Sequence, residues 1–208
     1  MRREEMTTAI IGLGNMGSGL ARRLAGKGKL VLATRNAAAA ASLAAEIGAE
    51  SAGIADAIAA ADTVVLALPY NSALELARSG ALNGKVVVDI SNPVKPDFSG
   101  LAIGFETSAA EEIQKAAPSA KVVKGFNTIF ATLFAAPADD TANVPVFLAG
   151  EEAAVEQVAT LVKNAGFAVE KTGTLDAARL LEPVGMLNIR FGYGLGRGTS
   201  IAPAWLSL

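Results

Sequence analysis

The chain has 208 residues, 51% hydrophobic and 18% charged, and it contains neither cysteine nor histidine. That excludes disulfides, thiolate nucleophiles, cysteine-ligated metals, imidazole bases and Ser-His-Asp machinery. The apolar fraction rules out intrinsic disorder, and a net charge of −2 lacks the basic excess of a nucleic-acid-binding domain.

In chain order, Met1-Arg2-Arg3-Glu4-Glu5 carries acids and is not followed by the apolar run of a signal peptide. No stretch reaches the ~20 apolar residues of a bilayer span, so a cytoplasmic protein without a membrane partner is expected. Thr7 to Ile11 reads as a strand ending in a glycine turn, and Asn15 to Ala25 as a helix. Lys29 to Thr34 is β-rich, and Ala37 to Ile47 is helical with Gly48 as its stop. Glu50 and Ser51 allow a short strand, Ile54 to Ala60 a short helix. Thr63 to Leu68 is an apolar strand stopped by Pro69, and Ser72 to Arg78 is helical. Val86 to Ile90, ended by Ser91-Asn92-Pro93, is a fifth strand; a helix over Ser108 to Ala117 and a sixth strand over Lys121 to Lys124 follow. Beyond these the pattern gives a helix from Asn127 to Phe134, a strand from Val144 to Leu148 and a helix from Glu151 to Asn164. A strand from Phe167 to Lys171 and a last helix from Asp176 to about Gly192 complete the series.

The strands are apolar throughout instead of alternating, as in a parallel sheet covered on both faces. The expected fold is therefore α/β: a doubly wound parallel (Rossmann) sheet over residues 1–126. A small C-terminal α/β extension, 127–208, packs directly against it.

Gly12-Leu13-Gly14-Asn15-Met16-Gly17 fits G-x-G-x-x-G, follows a strand and opens a helix. Gly12 permits a tight turn, Gly14 lets a pyrophosphate approach the backbone, and Gly17 lets helix and strand pack closely. The free N–H groups of the helix N-terminus face the anion. An NAD-preferring loop places an acid about 20 residues on; from Ser18 to Ala45 there is none, and the second strand runs into Thr34-Arg35-Asn36. A guanidinium beside a hydroxyl and an amide suits a 2′-phosphate, so NADP is expected over NAD.

These residues resemble the coenzyme F-420-dependent NADP oxidoreductases, with pyrroline-5-carboxylate reductase a more distant relative. The resemblance is carried by Ile11 to Gly17, Ala33 to Asn36, Val64 to Pro69 and Val87 to Pro93. Lys124-Gly125-Phe126-Asn127-Thr128-Ile129 and Ala178-Arg179-Leu180-Leu181-Glu182-Pro183 extend it. It implies hydride transfer between NADP(H) and a deazaflavin, coenzyme F-420, or a flavin as co-substrate, a small-molecule redox carrier in either case. It also implies a homodimer. Leu68, Pro69, Tyr70 and Asn92 join the glycine loop and Thr34-Arg35-Asn36 as cofactor contacts, and Asn127, Thr128, Ile129, Ala131 and Asn188 are the expected substrate contacts. Two positions depart from the family pattern: Ala39 stands where a lysine helps with the 2′-phosphate, and Asn127 where a histidine lies beside the deazaflavin.

Hydride exchange between stacked rings needs no protein acid, so no catalytic residue and no metal ligand is assigned. Imine or carbonyl reduction calls for a positioned acid, and Tyr70, Lys124 and Tyr193 are the candidates for it. A non-catalytic NADP-binding redox sensor is the reading from another class. Arg190 either holds an acidic substrate tail or pairs with Glu182. The apolar tail Ile201 to Leu208 is expected to fold over the crevice or to meet a second subunit.

Overall fold

In the computed structural model, which describes residues 6–205, six parallel strands lie in the order β3-β2-β1-β4-β5-β6. They are β1 (Thr7–Ile11), β2 (Lys29–Ala33), β3 (Glu50–Ser51), β4 (Thr63–Leu66), β5 (Val86–Asp89) and β6 (Lys121–Lys124). The crossovers carry α1 (Asn15–Leu24), α2 (Ala37–Ile47), α3 (Ile54–Ala60), α4 (Tyr70–Arg78) and α5 (Ala109–Ala116). The chain walks outward from β1 to β3 and restarts beside β1 with β4, so strand order reverses between them. The register Ile11↔Ala33 and Ile11↔Leu66 brings the carboxyl ends of three strands level at that crevice.

The pleat sends successive side chains to opposite faces, and both faces are buried. Ile10, Val65 and Val88 enter one core with Leu20, Phe126 and Phe134. Ile11, Val64 and Val87 enter the other with Ala57, Ala110 and Ile113.

The C-terminal part shares the first of these cores. A 3₁₀ turn at Ala131–Phe134 and the short α6 (Ala138–Thr141) lead to β7 (Pro145–Leu148). Then α7 (Glu152–Asn164) crosses to β8 (Ala168–Lys171), which pairs in parallel with β7 in a separate two-stranded sheet. Phe134, Val158 and Phe167 pack in one cluster with Ile10 and Leu20. Arg23, on α1, fastens the two parts: its guanidinium donates to the carbonyls of Phe134 at 2.8 Å, Leu133 at 2.8 Å and Ala136 at 2.6 Å. Burial lowers its pKa from the usual arginine value.

Five expectations are corrected. No helix runs from Asn127 to Phe134, because Phe126 adopts a left-handed φ of 59° and turns the chain; the side chain of Asn127 therefore caps nothing. β4 stops at Leu66 and α4 begins at Tyr70, with Pro69 at its N-cap and φ −57°. The last helix, α8 (Ala178–Ile189), gives way to a π-helical turn at Arg190–Gly194. β3 and the end of β8 are exposed, since they are sheet edges. Arg190 does not pair with Glu182, whose carboxylate faces inward to Lys124. Beyond the π turn the tail folds back on its own chain. Thr132 Oγ1 donates to the Thr199 carbonyl at 2.5 Å, Ala202 packs on the core, and the Trp205 ring stands edge-on to Phe147 at 5.3 Å. Met1–Glu5 and Leu206–Leu208, with the readings placed on them, lie outside the described residues.

β5, β6 and α8 (Ala178–Ile189) meet at Lys124, which is 0% exposed. Its ammonium donates to Asp89 Oδ2 at 2.6 Å, Glu182 Oε1 at 2.7 Å and the Ser91 carbonyl at 2.8 Å. Glu182 also accepts from the Ala109 N–H at 3.0 Å, so it caps α5. Burial works against the ammonium, yet the two carboxylates outweigh it and hold Lys124 above the usual lysine value. Burial pushes Glu182 up from its usual value, with Lys124 and the Ala109 N–H pulling the other way. Lys124→Met should cost roughly 3–5 kcal/mol in urea unfolding at neutral pH, because two carboxylates lose their cation. The deficit should shrink as pH falls, since protonating Glu182 removes an unpaired buried charge. In the wild type, the stability due to Lys124 is present below pH 10.5 and lost as pH rises through its raised value.

Candidate functional site

The glycine loop divides into closed and open positions. A Cβ on Gly12, whose φ is 95°, would lie 2.4 Å from the Ala67 carbonyl oxygen, and one on Gly17 would lie 1.9 Å from the Gly12 oxygen. Both positions are closed by the protein's own backbone. A Cβ on Gly14 would meet nothing within 4 Å. Gly14 and Asn15 are exposed, Leu13 and Met16 half-buried, and no side chain caps α1. The first N–H groups of the helix thus face open space beside a small residue, which is the demand of a pyrophosphate.

At the end of β2, Thr34 is half-buried and Arg35 exposed, and Arg35 makes no ion pair among the described residues. Asn36 commits its Oδ1 to the Ala39 N–H at 3.2 Å as the cap of α2, leaving its amide nitrogen to a ligand. At the end of β4, Leu68 and Tyr70 are half-buried and Pro69 is exposed. The Tyr70 phenol is raised from its usual value by burial, then by the carboxylates of Glu112 and Glu182. It stays protonated at neutral pH.

Beside these residues opens a cleft of about 270 Å³. Asn15 and Met16 of the glycine loop, Asn92, Asn127, Thr128, Ile129, Ala131 and Asn188 all line it, with Gly185 and Tyr193. The structure so brings every expected substrate contact to one wall system with part of the expected cofactor loop. Leu68, Pro69, Tyr70 and the Arg35 group do not line it. A larger hollow, about 690 Å³, lies at the amino ends of the strands beside Lys27, Lys29 and Gln157, the end where such sheets do not bind ligands.

An amide network holds the cleft. Asn92 Nδ2 donates to the Asn127 carbonyl at 2.8 Å, and Asn127 Nδ2 returns a bond to Asn92 Oδ1 at 3.0 Å. Asn127 Nδ2 also reaches the Leu181 carbonyl at 2.9 Å, and Asn188 Nδ2 the Thr128 carbonyl at 3.0 Å. A Cβ on Gly185 would fall 2.7 Å from Asn92 Nδ2 and 2.8 Å from the Asn127 oxygen, so only glycine lets α8 seat on the pair. Among the described residues three buried side-chain polar atoms keep no partner: Ser91 Oγ, Asn127 Oδ1 and Thr128 Oγ1. Lys124 is sealed beneath them and reaches nothing in the cleft, which removes it as a proton donor. Tyr193 sits on the π turn, 72% exposed, with its ring edge-on to Phe130 at 5.5 Å.

The Lys124–Asp89–Glu182 cluster and Arg23 escaped the sequence reading. Asp89 and Lys124 are register partners and each ends an apolar stretch of strand with a charge, a signal that was available. Nothing local marked Arg23, whose partners lie more than 100 residues away.

The sequence profile of the NADP oxidoreductases that depend on coenzyme F-420 matches residues 7–93. A candidate F-420-dependent NADP reductase from Arthrobacter sp. FB24 is 32% identical. The match covers 93% of this chain and 96% of that one, with a TM-score of 0.80. A hypothetical protein of Sinorhizobium meliloti is 35% identical over 84% of this chain and 88% of its own, with a TM-score of 0.75. A reductive aminase from Aspergillus terreus in complex with NADPH shares the fold at 22% identity and a TM-score of 0.64. That match spans 92% of this chain and 63% of the aminase.

The two kinds of glycine give opposite expectations. Gly14→Val should fold as the wild type, by circular dichroism and thermal midpoint, yet lose NADP binding in a calorimetric titration. Gly17→Val should fail at the folding stage, because its Cβ collides with backbone. Normal NADP binding by Gly14→Val would move the cofactor off this loop.

Proposed function

Since this chain belongs to the coenzyme F-420-dependent NADP oxidoreductase family and is an NADP-dependent oxidoreductase, we propose that it exchanges hydride between NADP(H) and a deazaflavin ring of the F-420 type. The observation that carries this reading is the lining of the cleft. Its walls are amide, hydroxyl and apolar, and the one titratable side chain on them, Tyr193, is 72% exposed and edge-on to Phe130, with no hydrogen bond among the described residues to aim its phenol into the cleft. Imine and carbonyl reduction need a positioned acid. Exchange between two stacked rings needs alignment, and the acceptor's own nitrogens handle the charge.

The residues fit both groups. The open position at Gly14 and the uncapped start of α1 would hold the pyrophosphate, and Thr34, Arg35 and Asn36 a 2′-phosphate. Leu68, Pro69, Tyr70 and Asn92 would flank the nicotinamide end. When bound, the cofactor supplies the hydride. Asn127 Oδ1 and Thr128 Oγ1, buried and unpartnered, would otherwise cost about 1–3 kcal/mol each; a heterocycle edge carrying N–H and C=O groups meets both. Asn188 contributes by fixing the Thr128 carbonyl, and Ile129 and Ala131 by supplying apolar wall.

A homodimer follows the same reading. Leu180, Val184 and Leu187 form an apolar stripe at i, i+4, i+7 on α8, with Leu180 67% and Leu187 50% exposed. The stripe borders a groove of about 690 Å³ that includes Phe147, Val169 and Trp205. A second copy covering it would bury the stripe beside the helix that carries Gly185 and Asn188. Leu180→Glu with Leu187→Glu should then halve the mass seen by light scattering.

Mixing the protein with NADPH and, separately, a deazaflavin, flavin mononucleotide and a cyclic imine tests the acceptor by absorbance. Turnover with the deazaflavin is expected, and turnover confined to the imine would sink the reading. For the cofactor, NADP should bind at least about tenfold tighter than NAD, about 1.4 kcal/mol. Arg35→Ala should erase that margin by weakening NADP alone. An equal loss for both cofactors would make Arg35 structural.

A further inference from the structure

Three ionisable side chains lie sealed beneath the cleft, and their charges do not cancel. Lys124 and Asp89 are 0% exposed and Glu182 1%. Asp89 accepts from Lys124 Nζ at 2.6 Å and from the Ser91 N–H at 3.0 Å. Glu182 takes the same ammonium at 2.7 Å and the N–H groups of Ala109 at 3.0 Å and Ala110 at 3.4 Å. A protonated carboxyl would need an acceptor for its O–H, and every partner here is a donor, so both groups are carboxylates. Two negative charges thus face one positive, and among the described residues no second cation pairs with them.

The uncompensated charge reaches the crevice side of the sheet. Tyr70 opens α4 just beyond β4, the strand that pairs with β5, and Asp89 closes β5. The Tyr70 phenol is raised by burial first, then by Glu112 and Glu182; Arg78 opposes, and Asp89 adds a smaller push the same way. Three carboxylates therefore act on this position against one guanidinium, and Arg78 lies at the far end of α4. The remaining charges of α5 bring no cation to the balance. Glu111 is taken up by Arg179 at 2.6 Å, and Glu112 accepts only from the neutral Thr107 hydroxyl, at 2.9 Å.

Resting on the cofactor placement above, with Tyr70 and Asn92 at the nicotinamide end, we infer that the Lys124–Asp89–Glu182 cluster discriminates between the two redox states of the cofactor. Its net negative charge favours the oxidised form and so makes bound NADPH the stronger hydride donor. In NADPH the nicotinamide ring is neutral. When hydride leaves with the C–H electron pair, that ring becomes a cation, while the acceptor ring is reduced and takes a proton from water. A fixed anion in a dry wall lowers the free energy of the cationic ring and leaves the neutral one almost untouched. Glu182 is the specificity-determining member, because Asp89 alone would only balance Lys124. The pyrophosphate and 2′-phosphate are common to both forms, so the preference appears in the ratio of their dissociation constants.

The test measures the dissociation constants of NADP+ and NADPH by calorimetry at neutral pH, for the wild type and for Glu182→Gln. This substitution removes the extra charge and keeps an oxygen for the Ala109 N–H. The ratio of the NADP+ constant to the NADPH constant should rise by at least about fivefold, carried by weaker NADP+ binding. A merely structural loosening of α8 would weaken both forms alike and leave the ratio where it was. Arg35→Ala should do just that, since the 2′-phosphate is the same in both forms. Glu112→Gln should move the ratio in the same direction by a smaller factor, and it decides the matter if Glu182→Gln does not fold. A ratio unmoved by folded Glu182→Gln overturns the inference, as does one unmoved by Glu112→Gln where only that variant folds. No acceptor enters these measurements, so the turnover assay judges the deazaflavin reading separately. A wild type that binds neither form defeats the cofactor placement and this inference together.

Discussion

A lysine with no access to water sits where two strands and a helix converge, and the site around the cleft depends on how its charge is met. Isolated, a buried ammonium would neutralise or draw water in. Lys124 instead has a carboxylate from β5, a carboxylate from α8 and a backbone carbonyl from the turn after β5, all within 2.8 Å. Each partner belongs to a different piece of the site. Asp89 also takes the Ser91 N–H at 3.0 Å, shaping the turn that presents Asn92. Glu182 takes the first N–H groups of α5 and fixes the rotation of α8, which carries Gly185 and Asn188 to the cleft. Replacing the cluster by apolar residues of equal volume would preserve packing but not this bookkeeping of direction, because apolar contacts do not specify which way a turn faces.

Arg23 plays a complementary part. Lys124 joins elements through opposite charges, whereas Arg23 joins them through carbonyl dipoles. Its fork gathers the ends of the 3₁₀ turn and stacks near the Phe167 ring at 5.3 Å. A planar five-donor group meets several carbonyls at fixed angles where a lysine would meet them one at a time. The C-terminal extension is thereby fastened to the helix that opens at the glycine loop. Arg23 thus ties the two sides of the cleft to each other, a condition for holding two rings in contact.

The sheet was legible because its signals are local. An apolar run, a glycine turn and a helix are written within a dozen residues. The glycine loop was legible for the same reason, down to the distinct demands on Gly12, Gly14 and Gly17. The segment Asn127 to Phe134 was not. Its composition allows a helix, and what forbids it is the left-handed Phe126, held by the rings of Phe134 at 6.2 Å and Phe167 at 6.5 Å. That conformation costs of order 1–3 kcal/mol and persists only because packing from distant parts of the chain imposes it. Likewise the partners of Asn92, Asn127 and Asn188 lie 35 to 60 residues away, beyond any window over which periodicity speaks.

The departure at Asn127 then has a physical sense. A single amide nitrogen there carries two hydrogens, and both are used: one toward Asn92 Oδ1, one toward the Leu181 carbonyl. A neutral imidazole has one N–H. A histidine at this position would leave one of those acceptors unmet, or would have to carry a proton in a wall that offers it no carboxylate, since Asp89 and Glu182 are already committed to Lys124. The asparagine keeps the wall neutral and keeps α8 docked, at the expense of an unpartnered Oδ1 in the wall.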